Sequence, residues 1–478
     1  MLVIISDLHL TDGSSGEIIS DSAFRLFRNR VKDMAYDASW RCDGKNCGEC
    51  RDGDDCRKYY EPIKSLDIIL LGDILDMIRS EKWNDAMETV MPWIKPREDD
   101  FFTTVTSIVK DILAFNQSSF NLLRGMACDG DVKIPEAMAP AGADKRRNEK
   151  IRDEVKGGMV SVNVNIYYMI GNHDWFFYID DPRMADLRNQ VIDALGLANE
   201  RNKPFPYHRS DNKDVLVLQD VHRVFAEHGD EYDKTNFQTP HRDASSVGDV
   251  VVIRLLNAIP AGIKKYLTES PERAGTEEEI NTFIKQLREI DNLRPYTLAP
   301  AWITQIMQET NLNPEIVNKA IGHTLRTLIR KFAENSMIAS NRMLKYELKV
   351  ANILFGKHFS IRVLSYLIGH TALGKDRLES YKKYAVQMAH DQDKDFFVMG
   401  HTHYAEVVPL SNYLETAKGK KTKRSKIYVN TGTWRSVHFK GYEDDSFISY
   451  KTMSIAGFFK PDERKHRPFE FWTGSLAM

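Results

Sequence analysis

The chain has 478 residues, with 66 basic and 68 acidic side chains and a formal net charge of −2. Its hydrophobic fraction of 42% and charged fraction of 28% are typical of globular proteins and argue against global disorder. The balanced charge argues against an overall electrostatic attraction to nucleic acid or anionic membranes. No apolar run reaches about 18 residues and no signal-peptide pattern is present, so we expect a cytoplasmic protein without a membrane span.

The first predicted element is a buried strand in LVIIS, which ends directly before Asp7 and His9. A helix over residues 21–38 follows, with Asp21 and Ser22 as candidate caps. Its apolar side chains recur at helical intervals, at Phe24, Phe27, Val31 and Met34.

Four of the five cysteines lie together in the Cys-rich loop 41–57, at Cys42, Cys47, Cys50 and Cys56. In a reducing compartment this spacing favours metal over disulfides. Four thiolates can close a structural zinc site or hold an iron–sulfur cluster. Redox-active thiols and a plain polar loop remain alternatives.

Four further strand-like runs end before polar residues of the same kind. DIILL precedes Asp73 and Asp76, VNIYYMI precedes Asn172, His173 and Asp174, HRVFAE precedes His228 and Asp230, and DFFVM precedes His401 and His403. Residues 81–127 read as helical with interruptions near Pro92 and Pro96, and residues 130–158 as a mobile surface segment.

Residues 241–392 carry several helical patterns between the fourth and fifth strands, which predicts an inserted helical region the size of a domain. Both its ends start beside the polar residues, so we expect a cap, with an outlying domain or an oligomer interface as alternatives. Two GHT strings within it lack a second histidine, and we assign His323 and His370 to helix packing or surface. After residue 393 the chain turns to strands, with residues 418–426 as a basic, exposed loop.

All five polar groups follow the carboxyl end of a predicted strand, where loops converge in open α/β sheets. Carboxylates, imidazoles and one amide suit Mn, Fe, Zn or Co, and these side chains supply enough ligands for two ions. A two-metal site is a general device for phosphoryl chemistry.

The ordered series D-x-H, G-D-x-x-D, G-N-H-D, H-G-D and G-H-x-H resembles the calcineurin-like metallophosphoesterase superfamily. The resemblance covers residues 1–240 and 393–478, but neither the Cys-rich loop nor the insertion 241–392. It implies an α/β fold with a layered β-sandwich core flanked by helices. Apart from the resemblance, we expect the core's first part, residues 1–240, to carry a helical insertion at about 77–160, the core's second part to be residues 393–478, and the helical insertion 241–392 to be the possible cap described above.

The resemblance also implies two divalent metal ions, with Mn favoured, beside the structural zinc considered for the cysteines. Asp73 would bridge the two ions. The first ion would bind Asp7, His9, Asp73 and His403, and the second Asp73, Asn172, His228 and His401.

The remaining motif residues receive other implied roles. His173 would stabilise the phosphoryl transition state or protonate the leaving oxygen, oriented by a hydrogen bond that its ring donates to Asp174; a packed loop histidine is the alternative. Asp76 and Asp230 would accept hydrogen bonds from metal ligands and so orient them, or would cap loops.

GDILDMI and GNHD depart from the GDxxDRG and GNHE of protein phosphatases and look closer to small-molecule phosphodiesterases and UDP-2,3-diacylglucosamine pyrophosphohydrolases. We therefore expect hydrolysis of a phosphodiester or pyrophosphate, in a small molecule or lipid-linked nucleotide, by a metal-bridging hydroxide. A nuclease using the basic loop 418–426, and a non-catalytic scaffold, are the alternatives. The oligomeric state is left open.

Overall fold

The computed structural model describes residues 1–15, 19–41, 59–139, 143–144, 149–150, 154–237, 241–294, 298–335, 337–338, 376–417, 420–443 and 446–476. The metal site predicted at Cys42, Cys47, Cys50 and Cys56 lies outside these residues, as does the assignment of His370. Over the described part the fold is mixed α/β, as predicted.

Eleven strands form the two main sheets. In chain order they are β1 (Leu2–Ile5), β2 (Ser65–Leu71), β3 (Asn163–Met169), β4 (Val224–Ala226), β5 (Leu293–Arg294), β6 (Phe396–Met399), β7 (Ala405–Ala417), β8 (Lys420–Thr431), β9 (Ser436–Lys440), β10 (Phe447–Phe458) and β11 (Phe469–Leu476). Shorter pairs join Trp40–Arg41 to Tyr59–Tyr60, Lys133–Ala139 to Glu154–Ser161, and Ala143–Asp144 to Glu149–Lys150.

The larger sheet has the order β5-β9-β10-β1-β2-β3, with β11 also paired to β10. Its strands β1, β2 and β3 are parallel, so their carboxyl ends lie at the same edge. The smaller sheet has the order β4-β6-β8-β7. Here β4, β6 and β8 are parallel, and β7 closes the sheet as an antiparallel hairpin with β8.

The helices in chain order are α1 (Asp21–Ala38), α2 (Lys82–Asp85), α3 (Asp99–Phe115), α4 (Gln117–Cys128), α5 (Pro182–Leu195), α6 (Lys213–Val221), α7 (Val247–Val251), α8 (Ala258–Glu269), α9 (Glu277–Leu287), α10 (Ala299–Glu309), α11 (Pro314–Glu334) and α12 (Asp376–Asp391). A π-helical segment, Val252–Leu256, joins α7 to α8. Within the described residues, no helix combines the length and the apolar character needed to cross a membrane.

Alternation along the central strands divides the larger sheet's side chains between two hydrophobic clusters. On one face, Val3 and Ile5 of β1 share a cluster with Phe24 and Phe27 of α1. On the other, Leu2 and Ile4 share a cluster with residues of the smaller sheet, including Val224, Ala226, Val398 and Val429. The two sheets therefore pack against each other, and α1 covers the outer face of the larger one.

Helices α7–α11 and α12 lie within residues 241–392, which were predicted to be a helical insertion, and the short strand β5 also lies there. Residues 295–297, 336 and 339–375 of this range lie outside the described residues. Helices α7–α11 have a hydrophobic cluster of their own, to which Phe283, Ile306 and Leu325 belong. The helices start where the sequence indicates: Thr276 and Glu279 form a capping box, and Asn313 caps α11 in front of Pro314. His323 is an exposed residue of α11, as predicted.

Residues 130–158 were predicted to be a mobile surface segment at the end of a helical insertion extending to about 160. The end of that insertion is not helical where it is described, because Lys133–Ala139 is a strand that pairs with Glu154–Ser161. Residues 140–142, 145–148 and 151–153 lie outside the described residues. The register shifts between Pro135 and Ala137. Pro and Gly lower the local strand propensity of this segment, so the sequence alone did not predict strands that form by pairing with each other. The basic loop expected at 418–426 is largely strand, because β8 begins at Lys420 and pairs with β7.

Candidate metal centre

All the predicted polar residues lie just beyond the carboxyl ends of parallel strands. Asp7 and His9 follow β1, Asp73 and Asp76 follow β2, the GNHD residues follow β3, His228 and Asp230 follow β4, and His401 and His403 follow β6. Backbone hydrogen bonds tie the loops together: the His9 amide donates to Asp73 O (2.9 Å) and the Gly400 amide to His228 O (3.0 Å). Residues almost 400 positions apart therefore meet at one sheet edge.

Five of these residues have a left-handed backbone. The φ angles are 51° at Asp7, 47° at His9, 54° at Asp73, 64° at His401 and 61° at His403. Side chains other than glycine rarely adopt this region, and each instance costs about 1–3 kcal/mol. Strain repeated at the predicted ligands indicates that the fold holds these side chains in place for a function.

The loops also need glycine where they approach one another. A Cβ on Gly171 would collide with the Asp73 carboxylate and the His228 ring, and one on Gly400 would collide with the Asp7 carboxylate. The glycines of GNHD and GHTH are thus required for the ligands to converge.

Asp7, His9 and His403 form the first group of potential ligands, with one ligand atom from each within 4.8 Å of the others. His403 Nε2 lies 3.5 Å and His9 Nε2 3.8 Å from Asp7 Oδ1. The two imidazole nitrogens are 2.9 Å apart. A nitrogen-rich set with one carboxylate can hold a transition-metal ion.

Asp73, His228 and His401 form the second group within the same 4.8 Å limit. His228 Nε2 lies 3.3 Å from Asp73 Oδ2 and 3.3 Å from Asn172 Oδ1, so the predicted amide ligand lies beside the group. His228 Nδ1 is 2.9 Å from the Leu71 carbonyl. That contact fixes the Nδ1–H tautomer and points Nε2 into the centre.

Asp73 faces both groups. Its Oδ2 lies 3.3 Å from His228 Nε2 and 3.8 Å from His9 Nε2. The residue is 1% exposed. Burial alone would raise the pKa of Asp73, but the neighbouring His228 and His173 hold it well below its usual range. The carboxylate is therefore ionised and shared between the two groups.

The centre carries an excess of negative potential. Burial alone would lower the pKa of His9, but Asp7 and Asp76 raise it to about 9. In the same way Asp73 overcomes burial and raises the pKa of His228 to about 10. An environment that retains protons so strongly also favours divalent cations, which compete for the same nitrogen atoms.

Asp76 connects two histidines. Its Oδ2 lies 2.9 Å from His9 Nδ1, and its Oδ1 lies 2.7 Å from His173 Nδ1. Burial alone would raise the pKa of Asp76, but His173 and His9 hold it well below its usual range. The carboxylate thus fixes the Nδ1–H tautomer of both rings and leaves each Nε2 free of that bond.

The predicted pairing of Asp174 with His173 is wrong. The Asp174 carboxylate accepts hydrogen bonds from Tyr168 OH (2.6 Å), the Gly171 amide (2.5 Å) and the Ile74 amide (2.8 Å). Burial and nearby Asp73 raise the pKa of Asp174 to about 6. Three donors on the far side of the loop turn this carboxylate away from His173, and Asp76 takes the orienting position instead.

Asp230 is fully buried and forms an ion pair with Arg242, whose other terminal nitrogen donates to the Gly171 carbonyl. The guanidinium also lies 4.1 Å from the centroid of the Tyr207 ring. Arg242 therefore joins the loop of His228 to the loop of Asn172. Nothing in the sequence marks this arginine.

A second residue that the sequence does not single out is Asp233. Its Oδ2 lies 3.2 Å from His401 Nε2. Carboxylates commonly orient metal-binding imidazoles in this way. The repeated acidic positions in HGDEYD are the only sequence signal for it.

Comparison of the sequence with protein-family models and with curated protein sequences gave no match. The interpretation of the centre therefore rests on its residues and their geometry. Buried histidine and aspartate groups that can hold metal lie together at one edge of the two sheets.

Proposed function

We propose that the protein is a metal-dependent phosphohydrolase of the calcineurin-like metallophosphoesterase type, cleaving a phosphodiester or pyrophosphate bond. The observation that carries this proposal is the position of Asp73 between the two ligand groups, within 3.3 Å of His228 and 3.8 Å of His9. One carboxylate with two oxygens can serve two cations about 3.5–4 Å apart. The arrangement of the two sheets and their shared core is compatible with the layered architecture of that superfamily.

The donor set fits two divalent ions. One ion would be held by Asp7, His9, Asp73 and His403, and the other by Asp73, Asn172, His228 and His401. The oxygen and nitrogen donors suit Mn, Fe, Zn or Co. When bound, such a pair supplies Lewis acidity toward phosphoryl oxygens and activates water near neutral pH.

His173 is the residue best placed to transfer a proton. Its Nδ1 is held by Asp76, and its backbone amide donates to Asp73 Oδ1 (2.8 Å), which fixes the ring beside the shared carboxylate. Its side chain is 15% exposed and so can reach a substrate. Nε2 would stabilise charge on the phosphoryl group or protonate the leaving oxygen.

The side chains around the centre limit its access. His9 and His228 are fully buried, whereas His173 and His403 retain 15% and 18% exposure. A substrate would therefore approach from the side of His173 and His403. We infer that α7 and the start of α8 lie beside the loops that carry His173 and Asp76, because Trp175 Nε1 donates to Asp249 Oδ2 (3.0 Å) and Asn257 Nδ2 donates to Ile78 O (2.8 Å).

The nuclease alternative gains little support from the hairpin of β7 and β8. Arg424 donates to Asp395 Oδ2 (2.6 Å), and Lys426 donates to the Gln392 carbonyl (3.1 Å). Basic groups engaged in this way are less able to neutralise phosphates.

The test is Asp73→Ala in the full chain. We expect loss of bound metal and of hydrolysis of bis(p-nitrophenyl) phosphate, because both ions would lose a ligand. Metal is measured by plasma mass spectrometry, and folding by circular dichroism. The exposed Asp129 provides the matched control, Asp129→Asn. A folded Asp73→Ala protein that retains its metal and activity would refute the proposal.

The substrate class is tested separately with metal-reconstituted wild-type protein. Phosphate monoesters, diesters and nucleotide pyrophosphates, including lipid-linked ones, are compared by kcat/KM. We expect diesters or pyrophosphates to be preferred. A preference for monoesters, or salt-sensitive cleavage of DNA or RNA, would redirect the assignment.

A further inference from the structure

A second cluster of potential ligands lies outside the centre. It consists of His208, Glu227 and Glu231, with one ligand atom from each within 4.8 Å of the others. His208 Nδ1 lies 3.3 Å from Glu227 Oε1. None of these residues belongs to the five motifs, and the proposed reaction uses none of them.

Separate segments hold the three side chains in place. The His208 amide donates to Asp211 Oδ2 (3.0 Å), which closes a turn over Arg209–Asp211. The Glu227 amide donates to the Val398 carbonyl (3.2 Å) beside β6. Two phenols complete the cluster: Tyr207 OH donates to Glu231 Oε2 (3.2 Å) and Tyr232 OH to Glu227 Oε2 (3.3 Å).

The described cationic side chains do not balance the negative charge of the Glu227 and Glu231 carboxylates. The Glu227 side chain is only 9% exposed, and its ion-pair partner is His208. Among the described residues, no lysine or arginine forms an ion pair with Glu227 or Glu231. Burying a carboxylate beside another is unfavourable unless a cation or a shared proton compensates.

We propose that His208, Glu227 and Glu231 bind a divalent transition-metal ion at a site distinct from the centre around Asp73. One imidazole with two carboxylates favours Mn²⁺, Fe²⁺, Co²⁺ or Zn²⁺ over Ca²⁺ and Mg²⁺, which prefer oxygen ligands alone. The His208 side chain is 44% exposed, so an ion can enter and water can complete its coordination.

Such an ion would stabilise the loop that carries His228. Glu227 directly precedes His228, and Glu231 lies in the 3₁₀ turn Asp230–Tyr232 that follows it. Cross-linking Glu227 and Glu231 to His208 would hold both ends of this loop against the segment before α6. The site is therefore expected to be structural, and it does not depend on the proposed phosphohydrolase activity.

The experiment uses the full chain and Mn²⁺. Equilibrium dialysis followed by mass spectrometry counts ions per chain in wild type, Glu231→Gln and His208→Gln. Glu200→Gln, a change at an exposed glutamate, is the matched control. We expect each cluster variant to bind one Mn²⁺ fewer than wild type and the control, with the other ions retained. An unchanged count in both cluster variants overturns the proposal.

Anomalous diffraction from Mn²⁺-grown crystals of wild type and Asp73→Asn locates the ions. A peak among His208, Glu227 and Glu231 in both proteins supports the site. A peak at the Asp73 centre alone means that the two glutamates share a proton instead, and it overturns this inference but not the proposed function. In wild type, a peak at the cluster without one at the Asp73 centre supports this inference and contradicts the proposed function. Absence of both peaks refutes both.

Discussion

At the scale of single residues, Asp76 links the two kinds of histidine in the centre. One of its oxygens holds His9, a potential ligand, and the other holds His173, the proposed proton donor. Because both contacts use Nδ1, both rings present Nε2 away from Asp76. A single carboxylate thereby sets the orientation of a potential metal ligand and of the proposed acid.

Replacing His173 separates catalysis from metal binding. We expect His173→Ala to keep its bound metal and to lower kcat about 10²–10⁴-fold, the usual contribution of a positioned general acid. Metal content and kcat for bis(p-nitrophenyl) phosphate are measured on the same preparation. If metal content fell together with activity, His173 would be a ligand and its assigned role would be wrong.

Substitutions of the two aspartates near His173 are expected to have different effects, one on catalysis and the other on stability. Asp76→Asn should lower kcat about 10-fold or more and weaken metal affinity, because His9 and His173 lose their orienting carboxylate. Asp174→Asn should mainly lower the free energy of unfolding, by about 1–3 kcal/mol, since the amide offers one acceptor oxygen to three buried donors and turns its own N–H groups toward the rest. Kinetics and urea unfolding of both variants decide the matter. A larger loss of kcat in Asp174→Asn than in Asp76→Asn would indicate that Asp174, not Asp76, orients His173.

The sequence predicted that the motif residues would lie together, but it gave the wrong partner for His173, and the reason is physical. The place of a residue that directly follows a strand can be predicted from the position of that strand alone. Asp7, Asp73 and His228 could therefore be assigned to one sheet edge from the sequence. The direction of Asp174 depends on the buried hydroxyl of Tyr168 and on the amides of the loop. Those contacts exist only after the strands have paired.

At the scale of elements, the two ends of the smaller sheet carry different groups of residues. One end bears His228, His401 and His403. Asp395 lies at the other, where it accepts hydrogen bonds from Arg223 Nε (2.9 Å), Tyr413 OH (2.7 Å) and Arg424 Nη1 (2.6 Å). These residues belong to or adjoin all four strands of the sheet. This network lies at the opposite end of the strands from the potential metal ligands, and we expect it to contribute to stability rather than to the centre.

Asp395→Asn tests this division through pH. Burial alone would raise the pKa of Asp395, but the hydrogen bonds from Arg223 and Tyr413 outweigh it, and the pKa is lowered. The stability that the carboxylate contributes is therefore present above its unfolded pKa of about 3.9, and is lost as pH falls through its folded pKa. We expect the variant to be less stable by about 2 kcal/mol at pH 7.

The measurement is urea unfolding of wild type and Asp395→Asn at neutral and acidic pH, with chelator present so that metal loss affects neither curve. The difference between the two proteins should shrink below about pH 4. A difference that stays constant with pH would show that the carboxylate's charge is not its source. The kcat of the metal-loaded variant at a temperature where it is folded should be unchanged.

Elements were easier to predict than their partners. The five strands before the motifs, α1 and the helices after residue 246 follow from apolar spacing and capping residues, which act locally. The pairing of β9 and β11 with β10 could not be predicted from the same local patterns, because these strands are stabilised by contacts across the sheet. Arg242 was missed for a related reason, since its partners Asp230 and Gly171 come from two different sheets' loops.

At the scale of the whole molecule, the centre is assembled from both sheets. Asp7, Asp73 and Asn172 follow strands of the larger sheet, whereas His228, His401 and His403 follow strands of the smaller one. Ions shared between these groups would join the two sheets at their common edge. Because the potential ligands are distant in sequence, the complete group exists only in the folded chain, and an ion bound there would stabilise the fold.

We therefore expect Mn²⁺ to raise the melting temperature of wild type. An ion at about 100 times its Kd adds about 2.7 kcal/mol, which for a chain of this length corresponds to roughly 3 °C per ion. Asp73→Asn should lose the part of the shift due to the centre, and an ion at His208, Glu227 and Glu231 would leave a smaller residual shift in this variant. Differential scanning calorimetry with and without Mn²⁺ measures the two shifts. Equal shifts in wild type and Asp73→Asn would mean that the carboxylate shared between the ligand groups does not couple metal to folding.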